Sequence, residues 1–195
     1  GFAAAANVGT STITLGGGSL RYTPAGTTAL TLANASVVLT SATSSTIDIV
    51  DAGGAVTVSG VISGAGTLVK SGAGRLTLSN AANSHGGGMN LNGGTLNYGH
   101  IAAVGGGSLT FTDSSILQAG VAGALANQIV ICNGVTGTFD TQSNSVTASG
   151  IISGSGLLTK TGAGTLTLSN AANSHSGGLT INAGTINYTQ LAAVG

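Results

Sequence analysis

The chain contains one stretch twice. Residues 56–105 and 146–195 align without a gap at an offset of 90, and about two thirds of the paired positions are identical. The first copy reads VTVSGVISGAGTLVKSGAGRLTLSNAANSHGGGMNLNGGTLNYGHIAAVG, the second VTASGIISGSGLLTKTGAGTLTLSNAANSHSGGLTINAGTINYTQLAAVG. At several apolar positions where they differ, volume is nearly kept: Val61 against Ile151, Met89 against Leu179, Leu91 against Ile181, Leu96 against Ile186. A packed inner face tolerates such exchanges. Residues 16–23 and 105–112 also correspond, more loosely. The chain therefore reads as two tandem copies of a unit of about 90 residues. Residues 1–105 form the first unit with a lead-in coil, and residues 106–195 a second unit continuous with it as one domain. A closed barrel or a sandwich does not usually carry one unit twice in the same internal order, whereas a solenoid grows by that addition.

Inside each unit the apolar period is two. Ser11-Thr12-Ile13-Thr14-Leu15, Leu76-Thr77-Leu78, Met89-Asn90-Leu91 and Leu166-Thr167-Leu168 alternate apolar with hydroxyl or amide residues. Short strands with one buried face have that pattern. Between them stand Gly-Gly, Gly-Ala-Gly, Asn-Gly and Asn-Ala-Gly, which supply the backbone freedom of tight corners. No segment of helical length shows helical spacing. The expected core includes Leu20, Ile47, Val56, Leu68, Leu76, Leu78, Leu91, Leu96, Leu109, Ile131, Leu158, Leu166, Leu168, Ile181 and Ile186.

Gly60-Val61-Ile62-Ser63-Gly64, Gly66, Leu68, Lys70, Gly72, Gly74, Leu76-Thr77-Leu78-Ser79, Asn83, Gly87-Gly88 and Gly94-Thr95-Leu96 resemble the autotransporter-associated β-strand repeat, and the second copy matches at the same positions. Two departures stand in the loops: His85 and His175 where the family commonly has Tyr, and a corner one residue longer at Asn80-Ala81-Ala82-Asn83. The resemblance implies a right-handed parallel β-helix, an all-β β-solenoid, in the passenger domain of a bacterial type V secretion protein. It also implies export through an outer-membrane barrel.

Composition agrees with stacked coils. Charged residues are 4% of the chain, Gly numbers 35, Pro one, and Trp is absent. Uncharged side chains stack on their copies without the like-charge repulsion of Lys or Glu ladders. The net charge of zero gives no basic footprint for nucleic acid or anionic lipid. Apolar runs are far shorter than the roughly 20 residues of a membrane-spanning helix. No signal peptide begins the chain, which marks it as mature or excerpted. Cys132 has no second cysteine to pair with, and its strand-like surroundings suggest a small buried or half-buried residue.

Candidate chemistry is sparse. The acids are Asp48, Asp51, Asp113 and Asp140, and the histidines His85, His100 and His175. Asp48 and Asp51 supply too few oxygens for a calcium shell and read as outward strand and turn residues. His85 and His175 are equivalent by repeat. They are expected to project from the same side several coils apart as exposed corner residues, too distant to share a zinc ion. Alanine at His85, His175, Asp48 and Asp51 should then leave stability nearly unchanged. Gly64-Ala65-Gly66 and Gly72-Ala73-Gly74 precede no helix, as a phosphate loop would require. Lys70 and Lys160 read as solvated strand residues, and Tyr22, Tyr98 and Tyr188 as strand-end packing.

No catalytic, metal or cofactor-binding residue is assigned, and no cofactor is expected. The expected function is a non-catalytic structural or adhesive stalk of a secreted or surface-displayed bacterial protein, with cell-surface or matrix partners. Two alternatives stand beside it: a subunit of an extracellular filament, and a polysaccharide-acting β-helix enzyme. No nucleic acid and no membrane insertion by this segment are expected. Residues 5–9 and 191–195 share one phase of the repeat, which suggests either neighbouring repeats of a longer chain or self-association end to end.

Overall fold

The computed structural model describes residues 11–24, 29–33, 35–40 and 43–190; the two end segments of common phase, 5–9 and 191–195, lie outside the described residues. The chain is an all-β, parallel solenoid of about eight turns. The first three coils hold three strands each: β1 (Ile13–Leu15), β2 (Ser19–Tyr22) and β3 (Ala29–Leu32); β4 (Val37–Leu39), β5 (Ser44–Ile49) and β6 (Ala55–Val58); β7 (Ile62–Gly64), β8 (Thr67–Ser71) and β9 (Arg75–Leu78). Next come β10 (Met89–Asn92) and β11 (Thr95–Tyr98), a 3-10 turn at Ile101–Val104, then β12 (Leu109–Phe111) and β13 (Ser115–Ala119). Three-stranded coils resume with β14 (Gly123–Leu125), β15 (Ile129–Ile131) and β16 (Thr136–Asp140), followed by β17 (Val146–Ala148), β18 (Ile152–Ser153) and β19 (Leu157–Thr161). The described chain closes with β20 (Thr165–Leu168), β21 (Leu179–Ile181) and β22 (Thr185–Tyr188).

These strands line three faces. The second face is a seven-stranded sheet, β2-β5-β8-β10-β12-β15-β18, and the third an eight-stranded sheet, β3-β6-β9-β11-β13-β16-β19-β21. The first face begins as β1-β4-β7 and resumes as β14-β17-β20-β22. Its gap is bridged by irregular backbone. Ser84 and Gly86 N–H donate to the carbonyls of Ile62 and Gly64 (2.8 and 2.9 Å), and Gly106 N–H donates to that of His85 (3.1 Å). Asn127 Nδ2 then donates to the Gly105 and Gly107 carbonyls (3.0 and 2.7 Å). Backbone hydrogen bonds thus run from coil to coil, at the roughly 4.8 Å spacing of paired strands.

Alternation puts every second side chain inside. One inward column on the third face runs Leu30, Val56, Leu76, Leu96, Leu117, Phe139, and all six are buried. Most of the expected core is buried as well. Three positions differ: Leu20 and Ile186 are half-buried and Ile181 is 52% exposed. All three lie on terminal strands of their sheets, where no described coil covers the outer side.

The two copies do not occupy the same faces. Leu68 pairs with Met89 and Leu158 with Leu179, so a coil takes about 21 residues and a 90-residue unit about four and a third coils. The extra third turns the second copy onward by one face. Strands β8 and β10 lie on the second face, whereas their equivalents β19 and β21 lie on the third; β9 and β11 lie on the third, and β20 and β22 on the first. Pairing within the unit is unchanged, because Thr77 meets Asn97 as Thr167 meets Asn187. Three similar faces around one apolar core make this possible.

Candidate functional site

The residues that recur in both copies lead inward. Lys70 and Lys160 were expected in solvent, but both are completely buried. Lys70 stands in the inward column between Ile47 and Leu91, and Lys160 between Phe139 and Ile181. The alternation forces this: Leu68 points in, so Lys70 two residues later must also. Each ammonium stays hydrogen-bonded by turning to the corner. Lys70 Nζ donates to the carbonyls of Ser71 (2.8 Å), Gly72 (2.8 Å) and Gly93 (3.2 Å). Lys160 Nζ repeats the pattern with Thr161, Gly162 and Ala183. The side chain therefore ties its own corner to the corner one coil on. Burial pushes Lys70 down to about 8, and the Asp48 charge opposes this. Burial lowers Lys160 too, against the Asp140 charge. Both acids sit one coil before their lysine, as Asp48 pairs with Ser71 and Asp140 with Thr161.

The loop after the second strand of each motif replaces a strand, and an asparagine completes the ladder there. Asn83 Oδ1 accepts from the Ile62 N–H (2.8 Å) and its Nδ2 donates to the Ala103 carbonyl (2.7 Å). Its amide thus substitutes for a peptide group between two coils. Asn173 accepts from the Ile152 N–H at 2.8 Å. Asn80 and Asn170 close the preceding turn, donating to Ser59 and Ser149 of the coil before.

His85 and His175 are not exposed corners; they are 0% and 2% accessible. Nor do they share a side, because the loop with His85 stacks on β7 of the first face and the loop with His175 on β18 of the second. The third of a coil left over in each unit separates them. No partner stands in good hydrogen-bond geometry to either ring nitrogen of His85 or to Nδ1 of His175, and the backbone of Ile62 and Val104 gives His85 only weak contacts. Burial lowers both from the usual imidazole value; for His85 the backbone of Ile62 and Val104 acts in the opposite sense. A side chain added at Gly105 would come within 2.7 Å of the His85 ring, so the glycine makes its room. The expected indifference to alanine therefore does not hold for the histidines, since each replacement would open a cavity.

The remaining candidates lie outside or at strand ends. Asp48 faces outward, 3.3 Å from Arg21 Nε, and accepts from Ser71 Oγ at 3.0 Å; Asp51 is exposed in a turn. Asp113 and His100 are exposed, and each accepts a backbone N–H two residues on or nearer. Tyr22 and Tyr98 belong to the core and Tyr188 packs against it half-buried. Burial pushes the phenols of Tyr98 and Tyr188 upward. Cys132 is half-buried. Gly64-Ala65-Gly66 and Gly72-Ala73-Gly74 are coil corners. Among the described residues, no three of His, Cys, Asp and Glu lie close enough to hold a metal ion.

One outward constellation escaped the sequence. Arg75, Asn97, Gln118 and Asp140 come from four successive strands of the third face. Asn97 Nδ2 donates to Gln118 Oε1 (2.9 Å), Gln118 Nε2 to Asp140 Oδ2 (2.9 Å), and Arg75 Nη1 to Gln118 Oε1 (3.4 Å). Partial burial pushes the Asp140 carboxyl up. Hydrogen bonds from Gln118 and Gln142, with the Lys160 charge, outweigh this and hold it below its ordinary value. Nothing in the sequence pointed to this group, because its members lie in strands that do not repeat one another.

Comparison with known proteins agrees with the geometry. The model of the passenger-associated-transport-repeat (PATR) family matches residues 68–97 and 158–187. Each match spans a buried lysine, its Asn-containing loop and the strand pair that follows. The chain is also similar to the adhesin BmaC autotransporter of Brucella suis biovar 1 (strain 1330), at 36% identity over 75% of this chain and 5% of that protein. No solved structure matches the chain.

Proposed function

We propose that this chain, which belongs to the autotransporter passengers carrying passenger-associated transport repeats, is a non-catalytic stalk section that holds adhesive surface away from a bacterial cell. The observation that carries the reading is the winding itself. Lysine clamps, asparagine splices and glycine corners recur so that identical motifs stack on whichever face comes next. Such an element can be lengthened without redesign, because each coil contacts only its neighbours. The adhesin relative is many times longer than the matched section, which fits a role as one part of an extended passenger.

Displaying the chain within an autotransporter passenger on a Gram-negative cell tests this. The expected result is surface exposure by flow cytometry, greater adherence to a host-cell layer than without the insert, and no release of reducing sugar from polysaccharides. Hydrolysis of a polysaccharide, or retention inside the cell, would overturn the reading.

End-to-end stacking has one observation in its favour. Strands β21 and β22 carry no further partner among the described residues, and Ile181 is 52% exposed there. An uncharged, unpaired edge invites another coil, either more of the same polypeptide or a second copy. Sedimentation over a concentration series separates the two: association with rising concentration supports the second copy, and a persistent monomer excludes it.

A further inference from the structure

We infer that the third face carries a binding site for a neutral hexose chain, laid across β11, β13 and β16. The inference rests on the adhesive reading and names the chemistry of the partner. A shallow cleft of about 340 Å³ opens at the corner leading into these strands, a volume within the range of small-ligand sites. Its floor is one outward row, Thr95, Ile116 and Thr138, in register over three coils, and Ser114 and Thr136 form its rim.

Ile116 is the informative residue. Two large apolar side chains are exposed among the described residues, and the other, Ile181, stands on the outermost strand of this sheet. Ile116 lies in mid-sheet, with a threonine one coil away on either side. Covering it with an apolar surface releases water, and the threonine hydroxyls beside it both donate and accept. A pyranose ring presents that combination, an apolar C–H face bordered by hydroxyls.

Beside this row, two residues along each strand, runs the second outward row, Asn97, Gln118 and Asp140. Their side chains hold one another at 2.9 Å, and Gln142 Nε2 donates to Asp140 Oδ2 at 2.7 Å. A rail fixed before binding loses little side-chain entropy when it binds. Each amide keeps a free N–H, and the exposed Arg75 keeps most of its donors. The mixture suits vicinal hydroxyls. The site carries one carboxylate, Asp140, and one cation, Arg75, so its charges balance and it offers no net positive field to a sulfated or carboxylated sugar. Asp140 is the one carboxylate in the rail, whereas glycoside cleavage uses a pair; the site therefore holds a sugar without cutting it.

The test uses the purified chain with cellohexaose, maltohexaose and laminarihexaose as separate probes, read by backbone amide chemical shifts, with a heparin hexasaccharide as the anionic comparison. The expected result is saturable shifts confined to residues near Thr95, Ile116, Gln118 and Thr138 for at least one neutral probe, and none with heparin. Ile116→Lys should weaken that binding at least tenfold. Thr167→Lys, on the first face, should leave it unchanged. Ile116→Thr keeps the strand's alternation and guards against misfolding; it should bind at least threefold weaker with an unchanged amide spectrum elsewhere. No saturable shift with any neutral probe, a preference for heparin, or indifference to both Ile116 variants would overturn the inference. Display on the cell surface without hydrolysis would survive such a failure, so the stalk reading is tested separately.

Discussion

A charged amine in an apolar column is costly unless its protons are all engaged, and Lys70 meets that condition with three carbonyl oxygens from two successive corners. Its titration follows from the burial. The folded chain holds Lys70 at about 8 against 10.5 unfolded, so between those values the unfolded chain binds the extra proton. Stability then rises with pH, and Lys160 shifts in the same direction. Above pH 10 the buried Tyr98 acts oppositely, since the unfolded phenol ionises first. Urea unfolding should therefore show a gain of up to a few kcal/mol between about pH 8 and pH 10, then a decline. In the Lys70→Met, Lys160→Met double variant that gain should vanish. The histidines govern the acid side. His85 and His175 are depressed in the folded chain, so the unfolded chain takes up protons first and stability falls as pH drops below about 6.5. His85→Phe should shallow that loss, measured by urea midpoints at pH 7 and pH 5.

At the scale of strands and corners, the coil path depends on close backbone approach. Gly64 ends β7 with φ +99°, and a Cβ there would collide with the Leu39 carbonyl oxygen one coil back. Gly86 lies in the loop that stacks on that strand, with nothing within 4 Å of an added Cβ. Gly64→Ala should cost about 2–4 kcal/mol by chemical denaturation, from strain and lost packing, and Gly86→Ala about 0.5 kcal/mol or less. The strands themselves were legible in the sequence, because period two and glycine punctuation are local signals. Lys70 and Asn83 were legible as repeated positions but not as interior ones. Their residue types favour solvent on average, and only the parity of the strand or the missing ladder bond turns them inward. The same alternation that places Leu68 inside places Lys70 there, against the preference of a charge for water. The opposite fate of Ile181, apolar yet exposed, depends on its coil lying outermost in the described sheet. The rail of Asn97, Gln118 and Asp140 was invisible for a different reason, since its members are about one coil apart and the coil length is not written in any local pattern.

The whole molecule turns on one number, the fraction of a coil left over when a unit ends. With about a third of a coil remaining, each copy presents its motifs one face further round, and a longer run of units would present them on every side. A solenoid built this way has no preferred back. The most direct test uses paired cysteines on intact cells displaying the chain, oxidised only after export. Thr77→Cys with Asn97→Cys should join across β9 and β11 on the third face, and Thr167→Cys with Asn187→Cys across β20 and β22 on the first; directly paired parallel strands lie within disulfide reach. Thr77→Cys with Thr167→Cys, one unit apart on different faces, should stay open. Intrachain closure of the first two pairs alone, on protein reachable by an impermeant maleimide, is the result expected. Closure of the Thr77–Thr167 pair, or thiols beyond reach of the reagent, would contradict the solenoid stalk.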